Sequence, residues 1–276
     1  MLILCLSIVA FIATILYVFL VQYPAVIWWN IPLMFIGFWL FSFIVFVLFL
    51  IFIANLHSKK TRVIKPKGIY PFLIYHVAVF LRAIYNVKIV FEDQDKLPQD
   101  KKFLLVLNHQ SMFDPIMLIS KLPNYQFSFI VKDSLIRVPF VGRYLHAAGF
   151  LPIDRKNDRK ALENILIGIK RLESGQSLAI FPEGTRSKGP KMGEFRSGAF
   201  KTALKAQAPI VVAIVDGFYK RRVRLPFVPA KVYIRIVEVL PYDTIKDLHT
   251  NDISQHIHDL MENSLKDARE KYLWLR

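Results

Sequence analysis

Apolar residues dominate the first 56 positions of the chain, which hold no Lys, Arg, Asp or Glu. Two apolar stretches, about 2–21 and 31–56, are each long enough for a helix to cross a bilayer core, which takes about 20 residues. Two prolines, Tyr23 and the Trp28–Trp29 pair lie between them and suit a turn among the lipid headgroups. The pattern predicts a membrane-embedded helical hairpin over residues 1–56, which either spans the bilayer or enters one leaflet.

Beyond residue 56 the apolar positions fall into short runs rich in β-branched and aromatic residues, which are typical of strands. The runs are 87–92, 102–108, 126–132, 149–154, 177–181, 209–215 and 231–239.

Helical patterns separate most of these runs. Residues 157–175 are the clearest case, with Leu162, Ile165, Leu166, Ile169 and Leu172 on one face and Gly175 as a stop signal. Residues 69–85 form a more apolar helical pattern, and residues 251–272 a charged amphipathic one. Strands that alternate with helices indicate βαβ units. We therefore predict an α/β domain over residues 57–276, with a largely parallel or mixed sheet flanked by helices.

The charge is concentrated in this second part. Lys and Arg number 37 against 21 Asp and Glu, and the net charge of +16 lies entirely on residues 57–276. Five basic residues directly follow the hairpin: Lys59, Lys60, Arg62, Lys65 and Lys67. They predict that this end of the hairpin, and the domain after it, lie on the cytoplasmic side of a cell (inner) membrane or an endomembrane.

The anionic partner that these charges favour is membrane lipid. Nucleic acid is disfavoured because the chain has no recognisable nucleic-acid-binding module. The basic segment 218–229 is interpreted either as a lipid-docking loop or as a solvated loop before a strand. The single cysteine, Cys5, allows no intrachain disulfide, which fits a reducing compartment.

Polar residues follow four of the predicted strands. Each of four successive apolar runs is followed by charged or ionisable residues. In chain order they are His109 with Asp114, Lys132, Arg155, and Glu183 with Arg186. In open α/β sheets, ligands bind beyond the carboxyl ends of the strands. If these strands are parallel, one edge of the sheet gathers a base, two carboxylates and three cations.

Each of these residues also has an ordinary structural interpretation. His109 could be a turn histidine, and Asp114 could cap a helix that starts at Pro115. On a regular helix the five-residue offset would separate the two side chains by roughly 140°. The two can therefore meet only if His109 lies in the turn before the helix.

At these residues the chain resembles the lysophospholipid acyltransferases, most closely the 1-acylglycerol-3-phosphate acyltransferases. The family's N-H-x4-D motif appears as NHQSMFD (108–114), its G-x-x-x-I-D-R motif as GFLPIDR (149–155), and its third motif as FPEGTRS (181–187). Residues 195–215 look like the family's F-K-x-G-A-F and V-P-I-V-P-V blocks. They depart from the second of these blocks at Ala208 and Ala213, which puts no catalytic residue in doubt.

The resemblance implies a glycerol-3-phosphate-acyltransferase-like fold and transfer of an acyl group from acyl-CoA or acyl carrier protein to the sn-2 hydroxyl of lysophosphatidic acid. It implies His109 and Asp114 as a general-base dyad, with no metal or bound cofactor. The substrate-binding residues that it implies are Lys132, Arg155, Glu183, Gly184, Thr185 and Arg186. Two alternatives remain open: a different lysolipid acceptor, and a non-catalytic membrane-anchored protein that binds anionic lipid.

Overall fold

The computed structural model describes residues 2–23, 25–57, 63–66, 68–100, 102–153, 158–220 and 229–275. They divide into two compact units, Met1–Ser58 and Lys59–Arg276. Arg155 and most of the basic segment 218–229 lie outside the described residues.

The first unit is a pair of packed helices. Helix α1 (Leu2–Tyr17) continues through a π-helical turn (Val18–Gln22), and α2 (Ile31–Asn55) follows a short 3-10 turn. The two helices are in contact, and the small residues Ala10 of α1 and Ala54 of α2 are fully buried. The stretches Leu4–Gln22 and Trp28–Asn55 are long and apolar enough to cross a membrane.

The second unit is an α/β domain. Its helices are α3 (Ile69–Ile84), α4 (Asp114–Lys121), α5 (Asp133–Arg137), α6 (Val141–Ala147), α7 (Asp158–Glu173), α8 (Lys201–Ala206), α9 (Tyr242–Ile245) and α10 (Thr250–Lys271). Its strands are β1 (Val87–Glu92), β2 (Leu104–Leu107), β3 (Ser128–Lys132), β4 (Leu151–Ile153), β5 (Leu178–Ile180), β6 (Ile210–Asp216) and β7 (Ala230–Leu240).

The seven strands form one sheet in the order β1-β7-β6-β2-β5-β3-β4. Strands β2 to β6 are parallel, whereas β7 runs antiparallel to β6 and is paired in parallel with β1. Each strand coincides with one of the apolar runs of the sequence. The prediction of an α/β fold with a largely parallel or mixed sheet is therefore confirmed, and the sheet is mixed.

The core lies on both sides of the central strands. All the residues of β2, β5 and β6 are buried, which is why these strands are continuous apolar runs rather than alternating ones. Helix α10, predicted over 251–272, buries Ile257 and Met261 completely. It is a packing helix of the domain.

A carboxylate at the end of β1 fastens the last turn of α10 to the sheet. Glu92 accepts hydrogen bonds from Lys271 Nζ (2.6 Å), from the Tyr272 hydroxyl (2.6 Å) and from the Tyr233 hydroxyl of β7. Partial burial acts to raise the pKa of Glu92, but the hydrogen bonds from Lys271 and the two tyrosines outweigh it and lower that pKa to about 2.

Candidate active site

The carboxyl ends of β2, β5 and β3 lie side by side because these strands are neighbours and parallel. His109 follows β2, Glu183 follows β5, and Lys132 ends β3. Three of the polar sites predicted from the sequence thus lie along one edge of the sheet. Asp114 joins them as the first residue of α4.

The His109 imidazole and the Asp114 carboxylate are in contact. His109 Nδ1 donates to Asp114 Oδ2 across 3.0 Å, and the backbone N–H groups of Gln110 (2.8 Å) and Ser111 (2.7 Å) donate to the same oxygen. The Asp114 side chain is 1% exposed and that of His109 is 18% exposed. The turn 108–113 therefore brings the pair together, and only the histidine reaches solvent.

Asp114 differs from the capping interpretation in its position and its bonds. Helix α4 begins at Asp114 itself, after Phe113, and no side-chain capping bond is present there. The carboxylate points back into the preceding turn, where two backbone N–H groups and the imidazole surround it. The aspartate therefore holds the turn and the histidine rather than the helix terminus.

Burial dominates the electrostatics of this carboxylate and raises the pKa of Asp114, while the hydrogen bonds from His109, Ser111 and Gln110 act in the opposite direction. The imidazole is one of the groups bonded to this buried carboxylate, so a change of charge at either residue acts directly on the other. The chemistry of the site therefore belongs to the pair rather than to either residue alone.

Asn108 fixes the turn to the neighbouring strand. Its Nδ2 donates to the carbonyl oxygen of Val215 (2.9 Å), and its Oδ1 accepts from the Val215 N–H (2.8 Å). The side-chain amide thus imitates one further step of β-pairing between β2 and β6. This explains why an asparagine precedes the histidine, because its side chain supplies both a donor and an acceptor.

The loop that follows β5 is bonded directly to His109. Glu183 Oε1 accepts from the His109 N–H (2.6 Å), Glu183 Oε2 accepts from the Gly193 N–H (2.8 Å), and the Ser187 N–H donates to the His109 carbonyl (2.8 Å). Burial raises the pKa of Glu183. The family resemblance implies Glu183 as a substrate-binding residue; the bonds observed here run to the backbone N–H groups of His109 and Gly193.

An aromatic ring completes the surroundings of the histidine. The Phe181 ring stacks on the His109 ring with a centroid separation of 4.0 Å, and Phe129 of β3 lies behind Phe181 at 5.8 Å. Phe181 is the first residue of the FPEGTRS motif, and the sequence alone predicted no role for it. Its position directly after a buried strand, next to a polar loop, was the available signal.

Three of the predicted substrate-binding residues are exposed. Thr185 and Arg186 are exposed in the loop after β5, and Lys132 is exposed at the end of β3. Gly184 adopts a left-handed backbone (φ 67°) that turns the loop back on itself, with its N–H donating to the Phe181 carbonyl. Arg155 lies outside the described residues.

Comparison with known proteins identifies the chemistry. A sequence model of the family named Acyltransferase matches residues 88–215. Among named proteins, the 1-acyl-sn-glycerol-3-phosphate acyltransferase of Haemophilus influenzae is 28% identical over 69% of this chain and 80% of its own length. A probable 1-acyl-sn-glycerol-3-phosphate acyltransferase of Mycoplasma pneumoniae is 32% identical over 63% of this chain and 66% of its own.

Residues 88–215 match an acyltransferase domain. The fold agrees, because the crystal structure of the 1-acyl-sn-glycerophosphate (LPA) acyltransferase PlsC from Thermotoga maritima superimposes with a TM-score of 0.61. That match covers 98% of this chain and 97% of PlsC at 20% identity, so it supports the fold alone. The matched segment 88–215 of this acyltransferase contains His109, Asp114, Lys132, Glu183 and Arg186.

The location of the enzyme follows from the same results. The two apolar helices of the first unit and the lipid-modifying relatives together indicate a membrane location. An acyltransferase of this kind acts on lipid partners.

Proposed function

We propose that this enzyme transfers an acyl group from an acyl thioester to the sn-2 hydroxyl of lysophosphatidic acid and so produces phosphatidic acid. The observation that carries the proposal is the contact of His109 Nδ1 with Asp114 Oδ2 at 3.0 Å, inside a turn bonded to the loop that carries Arg186. The names of the relatives agree with this acceptor.

The dyad supplies the base that the acceptor hydroxyl needs. Because Nδ1–H donates to the carboxylate, Nε2 carries the lone pair of the neutral imidazole. Nε2 takes the hydroxyl proton as the lipid oxygen attacks the thioester carbonyl carbon. Asp114 holds the tautomer and stabilises the imidazolium that forms, as the carboxylate does in a Ser-His-Asp triad.

The departing group needs less help. The tetrahedral adduct collapses by breaking its carbon–sulfur bond, and a thiolate leaves readily because the pKa of a free thiol is near 8.5. The imidazolium returns its proton to the thiolate, which regenerates the base. The reaction proceeds by direct attack, without a serine nucleophile, because the thioester is already activated. Acyl-CoA or acyl carrier protein serves as co-substrate, and we expect no metal or bound cofactor.

The acceptor phosphate carries about −1.5 to −2 charge. Arg186, Lys132 and Arg155 are the cations that we assign to it, with arginine suited to bidentate contact. Gly184 and Thr185 shape the loop around the headgroup, and Glu183 keeps that loop bonded to the turn that carries the base. The basic run that follows the hairpin supports placing the catalytic domain on the cytoplasmic face.

The test is an acyl-transfer assay of the purified protein in lipid vesicles with labelled donors. Lysophosphatidic acid is compared with a lysolipid that lacks the phosphate monoester, and wild type with His109→Ala. We expect phosphatidic acid from wild type and a loss of at least about 100-fold in His109→Ala, the low end for general-base catalysis. Near-normal turnover in that variant would refute the mechanism.

The choice of acceptor is tested separately in the same assay by Arg186→Ala. We expect a raised KM for lysophosphatidic acid with kcat less affected. A change confined to the acyl donor would remove the phosphate role, and equal use of both acceptors by wild type would point to a different lysolipid.

A further inference from the structure

Large apolar side chains are exposed on a short connection that follows β3. From the middle of α5 to the first turn of α6, four apolar residues are partly exposed: Leu135 (40% exposed), Val138 (39%), Phe140 (45%) and Val141 (49%). We refer to these four residues as the apolar tip. It begins three residues after Lys132, at the edge of the sheet that carries His109.

The tip is a closed and well-bonded structure. The N–H of Val141 donates to the Pro139 carbonyl (2.6 Å), and the N–H of Gly142 donates to the Val138 carbonyl (2.9 Å). A Cβ on Gly142 would lie 1.9 Å from the Ile136 carbonyl oxygen, so the two backbones meet where only glycine fits. The inward residue, Ile136, is buried. The four apolar side chains are therefore held outward by the backbone.

The backbone at the tip also carries strain. Phe140 has φ 57° and ψ −60°, close to the rare and strained γ-turn and unfavourable for a bulky residue. Strained backbone of this kind persists where the surroundings fix it, and it clusters at binding and catalytic sites. Here it coincides with a group of exposed apolar side chains, which marks an interaction surface.

Basic side chains flank the tip. Lys132 is exposed, Arg137 is 73% exposed, and Arg143, which is half-buried, lies in the first turn of α6. Arg137 forms an ion pair with Asp133, and the four charges still sum to a positive value. Apolar side chains bordered by cations match an anionic membrane surface, where rings sit among the headgroups and cations meet lipid phosphate.

We propose that the apolar tip inserts into the headgroup region of an anionic lipid bilayer, as a membrane contact additional to the helical hairpin. A bilayer is favoured over a protein partner because the same chain carries two helices of membrane-crossing length and its flanking charges are positive. Such a contact would hold the edge of the sheet that carries His109 against the surface from which a lipid acceptor arrives. This last step rests on the proposed function, whereas insertion itself does not.

Depth measurements test the insertion without any turnover. The full chain, with Cys5→Ser and either Phe140→Cys or Leu248→Cys, is labelled with an environment-sensitive fluorophore and reconstituted in phosphatidylglycerol-containing vesicles. Leu248 is a matched control because it is 46% exposed and follows β7, whose end pairs with the start of β6 at the opposite edge of the sheet.

We expect the Phe140 probe to emit at shorter wavelength and to be quenched by lipids that carry a quencher near the headgroup, with the Leu248 probe unaffected. Equal, water-like emission from both probes would overturn the proposal. A shielded Phe140 probe that lipid quenchers do not reach would also overturn it, and would indicate a second protein chain instead.

A second arm measures function. In Val138→Ser/Phe140→Ser we expect the apparent KM for a vesicle-borne acceptor to rise about fivefold or more, since removing partial burial of these side chains costs roughly 1 kcal/mol. The KM for a monodisperse short-chain acceptor should be unchanged, as should both constants in Leu248→Ser. If the enzyme proves inactive on every lysolipid, the probe measurement still decides the question of insertion.

Discussion

Replacing Asp114 by asparagine separates the charge of the dyad from its shape. The amide oxygen can still accept from the Gln110 and Ser111 N–H groups, and its NH2 can take the place of Oδ1, which has no hydrogen-bond partner among the described residues. The turn should therefore persist. The imidazolium formed during proton transfer would then face a neutral group across the 3.0 Å that separates Nδ1 from the carboxylate.

The size of the effect follows from that distance. Opposite unit charges 3.0 Å apart attract by about 5 kcal/mol at an effective dielectric constant of about 20. The remaining amide hydrogen bond recovers part of this, so we expect kcat in Asp114→Asn to fall by about 10² to 10⁴-fold. The pH–kcat profile should also change, because the variant lacks the Asp114 carboxyl group, whose pKa burial raises.

The assay is steady-state acyl transfer in vesicles across pH, together with thermal unfolding of each variant. Asp243→Asn is a matched control, because Asp243 is a carboxylate whose side chain is 85% exposed. We expect that variant to keep the wild-type kcat. An Asp114→Asn enzyme that folds normally and keeps kcat within a few-fold of wild type would refute the dyad.

Two other carboxylates give sharp expectations. In Glu183→Gln, the side-chain NH2 group faces the N–H of either His109 or Gly193, so one hydrogen bond is lost. We expect the free energy of unfolding, measured with denaturant, to fall by about 1–3 kcal/mol and kcat to fall as well. Unchanged stability and kcat would contradict this role. The lowered pKa of Glu92 contributes stability that is complete above about pH 4.5 and is lost as the pH falls towards 2. Lys271, the partner of Glu92, is 60% exposed, so solvent screens the ion pair, and we expect Glu92→Gln to lower the free energy of unfolding by only about 1–2 kcal/mol at neutral pH. The free energy of unfolding should also depend less on pH between pH 5 and 2 in this variant. An unaltered acid transition would contradict this role of Glu92.

Most of the secondary structure could be predicted from local patterns of apolar and polar residues. The seven strands were predictable because buried runs such as β2 and residues 210–215 of β6 are continuously apolar. Helices α7 and α10 were predictable from their apolar faces. Sheet order was not predictable, because it depends on pairings between distant segments. The antiparallel direction of β7 is an example, since strand residues read the same in either direction.

The candidate site, like the fold, could be predicted from the sequence only in part. The geometry of His109 and Asp114 could be limited from the sequence alone, because a five-residue offset permits contact only across a turn. The bond from the His109 N–H to Glu183 could not, since 74 positions separate the two residues. The short helices α5 and α6 were also missed, because the close packing of Gly142 on Ile136 that shapes them has no periodic signal.

The loop after β5 is bonded to the residue that we assign as the base, His109. His109 is held at its N–H by Glu183, at its carbonyl by Ser187 and at its ring face by Phe181, and all three belong to the segment 181–187 that also carries Arg186. The contact with Asp114 comes instead from the first residue of α4. A force that an acceptor phosphate exerts on this loop is therefore transmitted to the imidazole through two hydrogen bonds and a stacked ring. Under the proposed function, headgroup binding and proton abstraction are physically coupled, because binding energy gained at the phosphate can fix the position of the base.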